Sequence, residues 1–164
     1  MKEWFIAKSE INREGWLVSS LTSLGVDVYY PYISVKRRGR TVSEPLLPTY
    51  VFCRIEVNGG EWWSTLHSPG LDCFLGENGR PTSLSDSVIK QIRIHVEKRN
   101  SGGMAPEEVD QQEGDDKDRS NGLGKVFKTG ANARQRCRAF FQAIGSLAPI
   151  DVELNHMGRA RSTA

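Results

Sequence analysis

The chain has 164 residues, of which 38% are apolar and 26% charged, and its net charge is +2. That length fits one domain or one domain with a small appendage, and the mix suits a soluble globular protein. No run nears the roughly 18 apolar residues of a membrane span, and so small a net charge leaves any nucleic-acid affinity to local clusters.

Residues 4–7, Trp-Phe-Ile-Ala, read as a short buried strand, with no signal-peptide h-region ahead of them. From Asn12 to Leu24 the apolar residues Trp16, Leu17, Leu21 and Leu24 recur at helical spacing, and Gly25 suits the residue after a helix end. Val26, Val28 and Tyr30 alternate with polar or aromatic neighbours, which predicts a second strand ending at Pro31. The basic run Lys36-Arg37-Arg38-Gly39-Arg40 follows, and its glycine predicts a hairpin tip or a flexible loop. In the next strand Tyr50, Phe52 and Arg54 share one face and Val51, Cys53 and Ile55 the other. Two prolines, Pro45 and Pro48, bracket Leu46 and Leu47 just before it. Proline fixes its own φ and gives no N–H, so the pair predicts a stiff apolar ledge. Glu61 to His67 reads as a short helix carrying Trp62, Trp63 and Leu66, and Leu71 to Leu75 as another strand. Ser85 or Asp86 can cap a helix with the stripe Val88, Ile89, Ile92 and Val96. The expected fold class is α+β, an antiparallel sheet flanked by helices.

Residues 98–122 are rich in Gly, Asp, Glu, Asn and Ser and read as a linker. Periodicity returns at 123, and 123–157 reads as a small C-terminal module followed by a disordered tail at 158–164. Within it, two periods fit the same residues. With period two, Cys137, Ala139, Phe141 and Ala143 line one face of a strand; with period 3.6, Ala133, Cys137, Phe140, Phe141 and Ile144 form a helical stripe ended by Gly145. Ile150 to Leu154 alternates as a strand, and Pro149 blocks a helix running into it. On those grounds the strand reading is favoured for 136–144.

The chemistry of catalysis is absent from the pattern. His67, His95 and His156 have no metal-ligand spacing, and there is no GxSxG, P-loop or GxGxxG. Cys53, Cys73 and Cys137 are odd in number and form no CxxC, which points to reduced thiols in a cytoplasm and away from a disulfide framework or a zinc site. No enzyme activity, cofactor or metal is expected. Two features stand out: the apolar ledge, which needs a second layer or a partner, and the basic run, which is either an ordinary solvated hairpin or a contact for nucleic-acid phosphates.

Several motifs occur together in the order of a known family. Residues 4–7, the spacing of Leu21, Gly25 and Pro31, and RGRTVSEPLLPTYVF at 38–52 resemble the N-terminal domain of NusG-type transcription elongation and antitermination factors. HSPGLDCFLGENGRPTSLSDSVI at 67–89 is similar to that domain's later segment. The resemblance covers residues 1–97, and the TVSEPLLP form is closer to the specialised RfaH-like branch. It implies a cytoplasmic monomer, with no membrane partner, that binds RNA polymerase. Leu47, Pro48, Tyr50 and Phe52, with Phe74 and Ile92 as neighbours, would take the clamp helices of the largest subunit. Trp62, Trp63 and Ser64 fall at the contact with the gate loop of the second-largest subunit. Lys36, Arg37, Arg38 and Arg40 would meet non-template DNA. Glu10, Ser20 and Ser23 stand where RfaH-like proteins carry basic or imidazole side chains, so no DNA element is implied. The C-terminal module sits where the family has a KOW domain, a small all-β barrel whose first strand is degraded here, and whose family partners are Rho or a small-subunit ribosomal protein. The alternative reading is a ribosome- or RNA-binding module that uses the basic loop and that barrel.

Overall fold

The computed structural model describes residues 1–102, 123–127 and 130–145. It begins with β1 (Glu3–Ser9), followed by helix α1 (Glu14–Ser23), which closes on Gly25 at φ 78°. Strand β2 (Asp27–Tyr29) leads into a hairpin of β3 (Tyr32–Arg37) and β4 (Arg40–Pro45). Arg38 and Gly39 at its tip have φ of 49° and 78°, the two positive values that a tight type I′ turn requires. The basic run is therefore a regular hairpin. Then come β5 (Tyr50–Ile55), α2 (Gly60–Leu66), β6 (Leu71–Phe74), the small pair β7 (Gly76–Glu77) and β8 (Arg80–Pro81), and α3 (Asp86–Asn100). The last three residues of α3 fall within the stretch read as linker; residues 103–122 lie outside the described residues.

One antiparallel sheet, ordered β2-β5-β1-β6, organises these elements. Its central strand β5 is apolar on both faces, as its alternation requires. On one face Phe5, Ala7, Val51, Cys53 and Ile55 pack with Leu17 and Leu21 of α1 and Trp62 of α2. On the other, Ile6, Tyr50 and Phe52 pack under Ile89 and Ile92 of α3. Trp16 departs from the expected α1 stripe: it is 63% exposed and lies under the Arg13 guanidinium, 5.0 Å from its ring centre. Leu17 and Leu21 are buried on that face, with Val18 and Leu24 packed against the same cluster.

The second face also receives the C-terminal segment, and here the structure corrects the expected barrel. Leu123–Phe127 is a 3-10 turn, and Ala133–Gly145 is helix α4 where a strand was favoured over 136–144. Asn132 accepts a hydrogen bond from the Gln135 N–H (2.9 Å), and the Gln135 side chain accepts one from the Asn132 N–H (2.8 Å). This reciprocal capping box fixes the helix start. The helical stripe then buries Cys137, Phe140, Phe141 and Ile144 together; a strand would divide Phe140 from Phe141. The strand expected at 150–154 and the tail at 158–164 lie outside the described residues.

The prolines of the ledge have distinct jobs. Leu47-Pro48-Thr49-Tyr50 is a four-residue turn closed by Tyr50 N–H to Leu47 O (3.2 Å), and Thr49 has φ 71°. Proline at the second position and positive φ at the third are the pattern of a type II turn, which usually takes glycine third. Pro45 ends β4, and Leu46 N–H then donates to Pro31 O (2.9 Å). A β-branched residue at positive φ is strained. Thr49→Gly should relieve about 1–2 kcal/mol of that strain, partly offset by about 0.5–1 kcal/mol of glycine's chain entropy. The expected result is a thermal midpoint raised by up to roughly 4 °C. A lowered midpoint would show that the Thr49 side chain contributes more than its backbone costs.

Candidate interaction surface and its helical cover

The ledge comes together as the sequence arrangement implies. Leu46 and Leu47, at the turn, and Tyr50 and Phe52, on one face of β5, join Ile92 of α3 in a single apolar cluster, with Pro48 half-buried at its rim. Phe74 does not belong to it. β6 pairs so that Phe74 stands opposite Ala7, on the other face, where its ring lies 5.0 Å from Trp62; Leu75 joins the ledge cluster instead. Of the three residues at the gate-loop position, Trp62 is core, while Trp63 (62% exposed) and Ser64 face outward. Lys36, Arg37, Arg38 and Arg40 are all exposed on the hairpin.

Helix α4 lies over the ledge. The Phe141 ring meets Tyr50 edge-on at 4.8 Å, and the Phe140 ring meets Phe52 edge-on at 5.7 Å. Such T-shaped pairs set the positive edge of one ring on the negative face of the other. Burial pushes the Tyr50 hydroxyl pKa up to about 12, and burial does the same for the Cys137 thiol. The preceding 3-10 turn adds Phe127, whose ring stacks on His95 of α3 at 4.9 Å. Arg99, near the end of α3, bridges the same junction: it donates to Phe127 O (2.7 Å) and to Ser34 O (3.3 Å).

A buried arginine fastens this cover. Arg136 is 1% exposed. It donates through Nε to Leu46 O (2.9 Å), through Nη1 to Ala131 O (2.8 Å), and through Nη2 to Glu44 Oε1 (2.8 Å) and Pro45 O (3.2 Å). Every arm of the guanidinium is thus satisfied, which its burial demands. Glu44 also accepts from Arg37 Nη2 at 3.2 Å, so one carboxylate links the hairpin, the ledge and α4. Sequence reasoning missed Arg136, because its partner is 92 residues away. The Asn132–Gln135 capping box was the local signal for the helix, and it was there to be read.

Residues 2–93 match the family model described as "Transcription termination factor nusG". Curated relatives all carry the description "Transcription termination/antitermination protein NusG". The protein from Helicobacter pylori (strain J99) is 32% identical over 69 residues, covering 42% of this chain and 38% of that protein. The protein from Rickettsia bellii is 27% identical over 79 residues, covering 46% and 42%. That from Rickettsia felis is 23% identical over 110 residues, covering 59% and 57%. The chain thus matches about half of these relatives' length or less. A solved structure titled "Domain interaction in Thermotoga maritima NusG" aligns at a TM-score of 0.41 and 18% identity, over 62% of this chain and 58% of that one. Among the described residues no helix is long and apolar enough to cross a membrane, and no group of His, Cys, Asp or Glu could hold a metal ion.

The latch predicts how docking of α4 responds to mutation and acid. Glu44→Ala leaves the Arg136 charge buried with carbonyl oxygens alone. Losing a hydrogen bond between charged groups costs about 2 kcal/mol, so the docked population relative to the released one should fall roughly thirty-fold. Burial raises the Glu44 pKa, but hydrogen bonds from Arg136 and Arg37 outweigh it and hold the carboxyl below its ordinary 4.5. His95 is held below its ordinary 6.5 by burial and then by Lys98. Releasing α4 takes the Arg136 bond from Glu44 and, with the preceding turn, the Phe127 ring from His95, so in both cases the docked state binds fewer protons than the released one. Docking is therefore at full strength above pH 6.5, weakens as His95 protonates below that value, and weakens again as pH falls below 4.5 through Glu44's docked value. Hydrogen exchange of 133–145 should accelerate in those two steps, and His95→Phe should abolish the upper one. Protection that stays constant from neutral to acid pH would refute the scheme.

Proposed function

Because the chain belongs to the NusG family, we propose that it is a transcription elongation and antitermination factor of the RfaH-like kind, whose polymerase-docking ledge is held covered by its own C-terminal helix. Leu47, Pro48, Tyr50 and Phe52, with Ile92 behind them, take the clamp helices of the largest RNA polymerase subunit. Trp63 and Ser64 reach the gate loop of the second-largest subunit, and the domain then bridges the DNA channel and suppresses pausing or termination. Trp62 takes no direct part, because it is core. The observation that carries the proposal is the seating of Phe140 and Phe141 on Phe52 and Tyr50. Two aromatic rings of one strand face pack tightly under a helix that is tethered through a long polar segment and fastened mainly through Arg136. A partner helix of similar apolar character can replace α4 only when that latch opens. A Rho or ribosomal-protein contact is left to the C-terminal segment after α4 is released.

The test separates cover from ledge. The Glu44→Ala chain should bind RNA polymerase core enzyme at least ten times more tightly than wild type, since releasing α4 raises the competent fraction. Adding Tyr50→Ala should cost about 2 kcal/mol of that affinity, the usual effect of truncating a central interface aromatic. If Glu44→Ala leaves affinity unchanged while exchange data show α4 released, the cover has no role. If Tyr50→Ala is silent in the released chain, the ledge is only core.

The hairpin supplies the DNA contact in this reading. Arg37 is engaged by Glu44, which leaves Lys36, Arg38 and Arg40 to meet phosphates of the exposed non-template strand. Arg38→Ala with Arg40→Ala should leave the fold intact. The log–log salt slope for binding single-stranded DNA within an elongation complex should fall by about 0.7 for each phosphate no longer neutralised. An unchanged slope would make the hairpin an ordinary solvated one.

A further inference from the structure

The sheet face that carries Tyr50 and Phe52 continues beyond the reach of α4. Two residues farther along β5 stands Arg54, opposite Trp4 on β1 and Asp27 on β2. Helix α3 roofs this end, and an open concavity of about 510 Å³ lies between. It is lined from β1, β2, β5 and α3 alone, so it stays open while the ledge is covered.

Three cations face this space: Arg54, Lys90 and Arg93. Among the described residues none of them makes an ion pair. Asp27 and Asp86 line the same concavity, yet neither closes on a cation within salt-bridge distance. Arg54 Nε is buried and has no hydrogen-bond partner among the described residues. A buried donor without an acceptor is costly, so this one, facing an open cationic concavity, is available to an acceptor that enters it. Arg93 is held by aromatic faces instead, 4.7 Å from the Tyr29 ring centre and 5.8 Å from that of Trp4. Its position is therefore preset while its donors remain free.

The balance of charge indicates the occupant. Three cations and two carboxylates leave one net positive charge. That accommodates a single carboxylate, and the two acidic side chains oppose a continuous polyphosphate. The surroundings are Trp4, Tyr29 and Ile89, continuous with the ledge, so the occupant also presents apolar surface. We infer that this concavity is the landing site for a carboxylate on the same polymerase helix that later takes the ledge, and that it engages while α4 is still docked. The inference rests on the clamp-helix reading above and adds an order of events: charge contact first at Arg54, Lys90 and Arg93, then displacement of α4. A long-range charge contact chiefly raises the association rate, whereas a buried aromatic contact chiefly slows dissociation.

The experiment measures association and dissociation of RNA polymerase core enzyme with the full chain, at low and at physiological salt. Lys90→Glu is the first variant, because Lys90 is exposed on α3 and its change spares the core. Arg54→Gln is the second. Both should slow association roughly tenfold at low salt, flatten its salt dependence and leave dissociation nearly unchanged. In the Glu44→Ala chain, where α4 is already released, Tyr50→Ala should speed dissociation and leave association nearly unchanged. The same variants in the Glu44→Ala background separate the two ideas. If the released chain binds and Tyr50→Ala weakens it, but Lys90→Glu and Arg54→Gln associate like wild type, the landing site is wrong and the ledge reading stands. If Lys90→Glu impairs single-stranded DNA binding and not polymerase association, the concavity belongs to nucleic acid and the inference falls. If the released chain does not bind polymerase at all, the clamp-helix reading itself fails and takes the inference with it.

Discussion

Strand β5 is apolar on both faces, and every other element answers that constraint. A central strand with Val51, Cys53 and Ile55 on one side and Tyr50 and Phe52 on the other cannot leave either side in water. Helices α1 and α2 cover the first face from within the same domain. Helix α3 covers only part of the second. The uncovered part, ending at the type II turn of Leu47 to Tyr50, is where α4 lies. The patch is core with the C-terminal helix docked; under the proposed function it becomes the docking surface once that helix leaves. In that proposal the helix and the partner compete for the same rings, so occupancy of one excludes the other.

What fastens α4 differs in kind from what draws it there. Burial of Phe140, Phe141 and Ile144 is non-directional and any apolar helix could supply it. The Arg136 guanidinium is directional: it needs a carboxylate and carbonyl oxygens at fixed angles, and Glu44, Leu46, Pro45 and Ala131 provide them. Because Glu44 also holds Arg37, the end of the basic hairpin and the cover share one acceptor. A buried charge pair of this type contributes more to selecting one arrangement than to net stability.

The geometry also divides the sheet's second face into two zones of different physics. The α4 zone is apolar and aromatic. The zone around Arg54 is open, cationic and incompletely satisfied. In the proposed order of events, the open zone can be met while α4 is docked, and the aromatic zone only after α4 has moved.

Much of this was legible in the residues alone. Alternation placed Tyr50 and Phe52 together and set Val51, Cys53 and Ile55 against them. Period 3.6 located α1 and α3, and Arg38-Gly39 marked the hairpin tip. Pro45 and Pro48 marked the ledge as stiff. These features are local, and the chain's own sterics decide them within a few residues. The type II turn with Thr49 at positive φ came only from the structure. Trp16 and Phe74 were placed wrongly because each fits a local pattern equally well on either face; the pairing of β6 with β1 and the packing of α1 made the choice. Residues 136–144 show the limit most clearly. They satisfy both periods, and their intrinsic preferences are too close to choose. The tertiary structure chose helix, because only a helix sets Phe140, Phe141 and Ile144 on one side to cover β5 while bringing Arg136 to Glu44, 92 residues away. No local window contains that contact, so only the folded chain could determine it.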